Sequence, residues 1–141
     1  MAPFEHKLRV RFQHTDPAGI VFFSNILVYC HEAYEEFLRA GGLPLEQFIA
    51  RGEPALPIGH AEATFKRPFR AGQLVTVRVS VARLGERSFR LEYDIFDESG
   101  EHLATAATVH VSVDPATGRS TVILPRLRQL LEKFAAAPAL R

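Results

Sequence analysis

The sequence predicts an α+β domain in which an antiparallel sheet packs against one long helix. Two periodicities support this prediction: apolar residues recur at helical spacing from 26 to 41, and they alternate with polar residues in four segments between 56 and 113. Short turns join these four segments, which favours antiparallel neighbours. The 141 residues predict a single domain over 1–141, with its core at about 5–113 and a C-terminal helix at about 125–135.

The first strand and the long helix are predicted from their apolar faces. Leu8, Val10 and Phe12 alternate with charged or polar residues, which is the period of a half-buried strand. Helical spacing then gathers a wide apolar arc of Ile26, Tyr29, Cys30, Ala33, Tyr34, Phe37 and Ala40. The opposite arc carries His31, Glu32, Glu35, Glu36 and Arg39. Gly41-Gly42 is expected to end this helix, and a short second helix covers 45–50.

The rest of the chain predicts four strands and a final helix. The strands cover about 56–68, 73–84, 87–97 and 101–113, and His60, Glu62 and Thr64 share one face of the first of them. The core-facing residues of the other three are expected to be Val75, Val77, Val79 and Val81, then Phe89, Leu91, Tyr93 and Ile95, and then Leu103, Ala107, Val109, Val111 and Val113. The last helix starts at Pro125, and the tail from 135 to 141 is expected to fray.

Composition and charge exclude several functional classes. The net charge is +1 with acids and bases interspersed, so the chain as a whole does not attract nucleic acid. No apolar run approaches the roughly 20 residues of a membrane span, and the first five residues lack the regions of a signal peptide. The single cysteine, Cys30, rules out an internal disulfide and a Cys-rich metal site. We therefore expect a cytoplasmic protein without a metal or cofactor.

The segment from Gln13 to Asn25 has the features of an active-site loop. Pro17 biases Asp16 towards an extended conformation, and Gly19 allows a sharp turn. Ser24-Asn25 then offers two good N-cap residues before the periodic helix. A carboxylate thus precedes a helix N-terminus, whose free N–H groups can polarise a carbonyl. The plainer interpretation, which turn statistics favour, is a type I turn in which Asp16 caps its own backbone.

The run Asp16-Pro17-Ala18-Gly19-Ile20-Val21-Phe22-Phe23-X-Asn25, followed by an amphipathic helix, resembles the signature of the hotdog-fold acyl-CoA thioesterases. The similar groups are the 4-hydroxybenzoyl-CoA thioesterases and the Tol-Pal-associated thioesterases, and the resemblance extends from about residue 7 to about residue 113. It implies a five-stranded sheet curled around the long helix. It also implies a homodimer, often assembled as a tetramer, and an acyl-CoA substrate of which coenzyme A is a part.

The resemblance assigns roles to individual residues. In this family the carboxylate at Asp16 attacks the thioester carbonyl or activates water, and the N–H of Phe23 polarises the carbonyl oxygen. The Tol-Pal group, whose members act on short-chain acyl-CoA, has a histidine at the position of Phe23, so the phenylalanine favours the aromatic-acyl branch. The expected substrate is an aromatic acyl-CoA similar to 4-hydroxybenzoyl-CoA, or else a short-chain acyl-CoA. The implied substrate contacts are Gly19, Val21, Phe22, His31 and Thr64, and the implied contacts to the coenzyme A phosphates are Arg87 and Ser88.

Several alternatives remain open at this level. His31 has an equally good interpretation as a solvated residue in a charged helix face, and His14 either orients Asp16 or only flanks it. Lys66, Arg67 and Arg70 form a second compact basic group without a family counterpart. Hydrolysis of acyl groups from an acyl carrier protein is an alternative activity. A non-catalytic acyl-CoA-binding or assembly protein is an alternative from another class.

Overall fold

The computed structural model describes residues 3–135, so the predicted fraying of the tail concerns residues that lie almost entirely outside the described range. The elements are β1 (Phe4–Arg9), α1 (Ser24–Ala40), α2 (Leu45–Ala50), β2 (Ile58–Phe65), β3 (Leu74–Leu84), β4 (Ser88–Phe96), β5 (His102–Val111) and α3 (Pro125–Phe134). A short 3₁₀ helix, Phe12–His14, follows β1. The predicted α+β fold with a five-stranded antiparallel sheet and a C-terminal helix is confirmed.

The sheet has the strand order β1-β3-β4-β5-β2, and every neighbouring pair is antiparallel. Strands β1 and β2 therefore form its two edges. Helix α1 packs against one face, where the predicted apolar residues of β3 and β4 are buried. Within the described part of the chain, no helix is long and apolar enough to span a membrane.

The predicted core face of β5 is correct at Leu103, which is buried in the core, and wrong from Ala107 to Val111. Tyr93 and Leu91 of β4 pair with Ala106 and Thr108, so the buried face of β5 consists of Ala104, Ala106, Thr108 and His110. Val109 and Val111, which were expected in the core, lie on the other face. The pairing shifts near Leu103, where Ile95 pairs with Ala104 but Phe96 pairs with His102. Because β5 consists mainly of alanine, threonine and valine, its polarity pattern does not identify the buried face.

The buried face of β5 carries a chain of polar groups that the sequence did not predict. The hydroxyl of Tyr93 lies 2.8 Å from Thr108 Oγ1, which lies 2.8 Å from Nε2 of His110. The His110 ring packs against Tyr34 and Phe89, with centroid distances of 4.3 and 4.9 Å. Burial lowers the pKa of His110 to about 4, so the imidazole is neutral in the folded protein at pH 7.

The structure also corrects the ends of β1 and α1. Phe12 was expected to face the core, but 85% of its surface is exposed because β1 ends at Arg9 and the chain then turns. Helix α1 starts at Ser24 rather than at residue 26. Leu38 is fully buried in α1, whereas Ala40, which was predicted to be part of the apolar arc, is exposed.

Candidate active site

The loop between β1 and α1 folds as a tight hairpin with Asp16 near its tip. Thr15 pairs with Val21, and the N–H of Asp16 donates to the carbonyl of Ile20 at 2.9 Å. The N–H of Gly19 donates back to the carbonyl of Asp16 at 2.9 Å. This turn requires a φ of 83° at Gly19, a left-handed conformation that favours glycine. The hairpin holds the Asp16 backbone in one position.

The Asp16 carboxylate is only partly engaged by its own turn. Its Oδ1 accepts the N–H of Ala18 at 2.8 Å, as the plainer interpretation of the sequence expects. No residue in the described range donates a hydrogen bond to Oδ2. The turn therefore fixes one carboxylate oxygen and leaves the other available to a water molecule or a carbonyl carbon.

Helix α1 begins immediately after the hairpin and lacks a side-chain cap. Phe23 occupies the N-cap position with φ −53° and ψ −35°, and its N–H has no acceptor among residues 3–135. Such N–H groups carry the positive end of the helix dipole. The predicted cap at Ser24-Asn25 is wrong, because Ser24 is already helical and Asn25 Nδ2 donates to the carbonyl of His14 at 3.0 Å. Asn25 thus ties the helix start to the hairpin.

The His14 side chain is hydrogen-bonded to helix α1 and not to Asp16. Its Nδ1 lies 3.0 Å from the hydroxyl of Tyr29, and its carbonyl accepts the N–H of Phe22 at 2.9 Å. Burial and, next, the charge of Glu32 raise the pKa of Tyr29 to about 12, so the hydroxyl stays protonated. Tyr29 was predicted only as a core residue, because sequence periodicity does not show the partner of a buried hydroxyl.

An apolar cleft of about 410 Å³ opens beside Phe23. Val21, Ile26 and Phe69 line its buried part. The exposed rings of Phe23 and Phe65 also line it and meet edge to face with centroids 6.4 Å apart. Phe22, another predicted substrate contact, packs on Phe23 with a centroid distance of 4.8 Å. Aromatic walls beside an unpaired N–H suit a flat apolar group attached to a carbonyl.

His31 and Thr64 lie away from this cleft in the single chain. His31 follows Phe23 by eight residues, roughly 12 Å along the helix axis, and its Nδ1 lies 2.9 Å from Glu35. Thr64 pairs with Thr105 and lines a polar groove on the sheet face opposite α1. One chain therefore does not bring Thr64 and Phe23 to the same surface.

Arg87 and Ser88 lie at the far end of the sheet. The hairpin adjoins the segment before β3 through the pairing of Ile20 with Arg70, whereas Arg87 follows the end of β3. Since β3 has 11 residues, roughly 30 Å of strand separates the two regions. Within the chain, Arg87 Nη1 donates to the carbonyl of Ser120 at 3.0 Å. One chain does not bring Arg87 and Asp16 together.

Cys30 and His60 are two further residues whose surroundings the structure defines. Burial raises the pKa of the Cys30 thiol to about 12, so it is a poor nucleophile at neutral pH. His60 Nε2 lies 2.9 Å from Glu62 Oε1 on the exposed strand β2. Within residues 3–135, no group of three or more His, Cys, Asp or Glu side chains is arranged to hold a metal ion.

Comparisons with known proteins identify the family of this chain. The family model of the thioesterase-like superfamily matches residues 10–134. The chain is 35% identical over 133 residues to the 1,4-dihydroxy-2-naphthoyl-CoA hydrolase of Synechococcus elongatus, which covers 94% of this chain and 97% of that protein. The crystal structure of a 1,4-dihydroxy-2-naphthoyl-CoA thioesterase from Synechocystis has a TM-score of 0.87 at 31% identity, covering 91% of this chain and 94% of that one. A gentisyl-coenzyme A thioesterase has a TM-score of 0.82 at 30% identity, covering 89% and 99%.

These relatives confirm two predictions from the sequence, the hotdog fold and the enzyme class of thioester hydrolase. Their names specify acyl groups other than 4-hydroxybenzoyl. The comparisons therefore do not confirm the narrower resemblance to the 4-hydroxybenzoyl-CoA and Tol-Pal-associated thioesterases. The match covers the hairpin, the cleft and the four strands β2 to β5. The chain belongs to the thioesterase-like superfamily.

Proposed function

We propose that this protein hydrolyses the thioester of a hydroxylated aromatic acyl-CoA to the free acid and coenzyme A. The observation that carries this proposal is the apolar cleft of Phe23 and Phe65 beside an unpaired helix N-terminal N–H. The acyl groups named for the similar proteins, 1,4-dihydroxy-2-naphthoyl and gentisyl, are hydroxylated aromatic acids. The 4-hydroxybenzoyl group that the sequence resemblance implies belongs to the same chemical class.

The proposed mechanism uses groups that the hairpin and helix hold in place. The thioester carbonyl oxygen accepts the N–H of Phe23, which stabilises the negative charge that develops during attack. Asp16 Oδ2 either attacks the carbonyl carbon, forming an anhydride that water then opens, or removes a proton from an attacking water. In both routes the carbon–sulfur bond breaks and coenzyme A leaves as the thiolate. The reaction needs no cofactor beyond the substrate itself.

The remaining proposed substrate contacts lie in the hairpin, beside the cleft and, for His31, farther along α1. Gly19 and Val21 shape the hairpin wall, and Phe22 supports the ring of Phe23. The proposed role of His31 is a hydrogen bond to a hydroxyl of the aromatic acyl group. Its side chain is 41% exposed, and its Nε2 has no partner within the described residues, so it can bind a polar substituent.

We also propose that the active form is a homodimer, alone or as half of a tetramer, because one chain separates Asp16 from Arg87. Strand β2 is an edge strand that runs from the sheet end near Arg87 to the cleft, and its outer edge is unpaired within the described residues. Antiparallel pairing of two β2 edges would bring the Arg87 end of one copy towards the cleft of the other. Arg87 and Ser88 of the second copy would then contact the phosphates of coenzyme A.

A substrate panel tests this proposal directly. Release of free thiol is measured with three thioesters: 4-hydroxybenzoyl-CoA, butyryl-CoA and a 4-hydroxybenzoyl group on an acyl carrier protein. We expect kcat/KM to be highest for the aromatic CoA thioester. Preference for butyryl-CoA would contradict the aromatic assignment, and preference for the carrier-protein thioester would favour the alternative activity. Binding of these thioesters without thiol release would favour a non-catalytic protein.

A further inference from the structure

Two basic side chains border the cleft that contains Phe23. Lys66 and Arg67 directly follow Phe65 at the end of β2, and both line the cleft. Among the described residues, Lys66 and Arg67 are the charged members of its lining. Arg70, the third member of the predicted basic group, pairs through its backbone with Ile20 and does not line the cleft. The cleft therefore combines an apolar floor with a positively charged rim.

The backbone under these two cations is held in place. The N–H groups of Lys66 and Arg67 both donate to the carbonyl of Leu103, at 2.9 and 3.1 Å, and Pro68 follows them. The Arg67 guanidinium forms an ion pair with Glu101. Lys66 has no carboxylate partner within the described residues. The fixed backbone lowers the entropic cost of ordering this segment around an anion, and the Lys66 ammonium group is available to bind one.

The charges elsewhere on the sheet do not offer the same environment. The groove on the face opposite α1 is lined by Glu62, Glu92 and Asp94, and Arg90 already pairs with the first two. A ligand with several phosphates would be repelled there. At the cleft, by contrast, the charged members of the described lining are both cations, which attract the phosphates of a ligand whose thioester lies at Phe23.

We propose that Lys66 binds a phosphate group of the coenzyme A part of the substrate, in the same chain that supplies Phe23. This inference rests on the proposed function and adds a subsite to it. It differs from the Arg87 contact because it needs no second copy of the chain. The two contacts are compatible, since coenzyme A carries three phosphate groups at two positions.

The test compares two thioesters that differ in the phosphate-bearing part. KM is measured for 4-hydroxybenzoyl-CoA and for the 4-hydroxybenzoyl thioester of N-acetylcysteamine, which has no phosphate. Lys66→Ala should raise KM for the CoA thioester about fivefold, the loss of one partly exposed charged contact, without changing KM for the short thioester. Lys66→Arg should restore the KM of the wild type. Lys133→Ala removes an exposed lysine of α3 outside the cleft lining and is the matched control.

Each outcome decides the proposal. An equal rise in KM for both thioesters would mean that Lys66 only shapes the cleft, and an unchanged KM for the CoA thioester would exclude the contact. If the wild type hydrolyses neither thioester, the proposed function fails, and calorimetry with coenzyme A and with pantetheine then decides the subsite. Wild-type protein must bind coenzyme A more tightly than pantetheine, and Lys66→Ala must reduce that difference. Equal affinities would overturn the inference.

Discussion

Replacing His110 with glutamine should reduce the loss of stability that acid causes in this protein. His110 is fully buried between Tyr34 and Phe89, and its Nε2 lies 2.8 Å from Thr108 Oγ1. Protonation would place a charge in this apolar environment without a carboxylate partner. A glutamine amide can reach Thr108 but does not titrate. The substitution therefore removes the proton-binding group and keeps a polar partner for the hydroxyl.

The magnitude follows from the pKa of His110, which burial lowers from the usual 6.5 to about 4. Because the folded pKa is the lower one, the unfolded state binds a proton first as the pH falls. Stability from neutral His110 is therefore present above pH 6.5 and is lost between pH 6.5 and pH 4. At about 1.4 kcal/mol for each pH unit, the loss is about 2 kcal/mol by pH 5 and about 3 kcal/mol in total.

The assay is urea unfolding at pH 7 and pH 5 for the wild type, His110→Gln and the control His60→Gln. His60 lies on the exposed strand β2, so its replacement is the control for exchanging an exposed histidine for glutamine. We expect the unfolding free energy of the wild type to fall between these pH values by about 2 kcal/mol more than that of His110→Gln. Equal changes in the wild type and His110→Gln would refute the reasoning, whatever the stability of the variant at pH 7.

Three further predictions concern the hairpin, the coenzyme A contact and the assembly. Tyr29→Phe should lower the unfolding free energy by about 1 kcal/mol and reduce kcat, because it removes the hydrogen bond to His14; unchanged stability would show that this bond contributes nothing. Arg87→Ala should raise KM for acyl-CoA more than it lowers kcat, since a contact remote from the thioester acts through substrate binding; an unchanged KM at both low and high salt would remove Arg87 from the site. Sedimentation should show a dimer or tetramer, and an active monomer would contradict the proposed assembly.

The faces of β3 and β4 could be predicted from the sequence because apolar residues alternate there with polar or charged ones. Strand β5 offers no such contrast, and the pairing shift near Leu103 changes which residues face α1. The alternation of β1 likewise continues to Phe12 although the strand ends at Arg9. Local pattern identifies a strand, but register and strand ends depend on partners that are distant in sequence.

In the candidate site, too, local backbone features could be predicted from the sequence, whereas contacts between distant segments could not. The Asp16 turn could be predicted because proline, glycine and aspartate determine local backbone geometry. The contact of Tyr29 with His14 and the role of Asn25 depend on how α1 docks on the hairpin, so the sequence pattern did not show them. The distance between Arg87 and the hairpin depends on the length and direction of β3, and hence on the whole sheet.

The most direct test of the proposed mechanism is kcat/KM for Asp16→Asn, measured together with thermal stability. Asparagine keeps the side-chain oxygen that accepts the N–H of Ala18, so the hairpin should retain its fold. It lacks the charge that either attack on the carbonyl or activation of water requires. We expect native stability and a loss of thioester hydrolysis of about 10²-fold to 10⁴-fold. A variant of native stability that hydrolyses its best acyl-CoA at nearly the wild-type rate would contradict the role of Asp16.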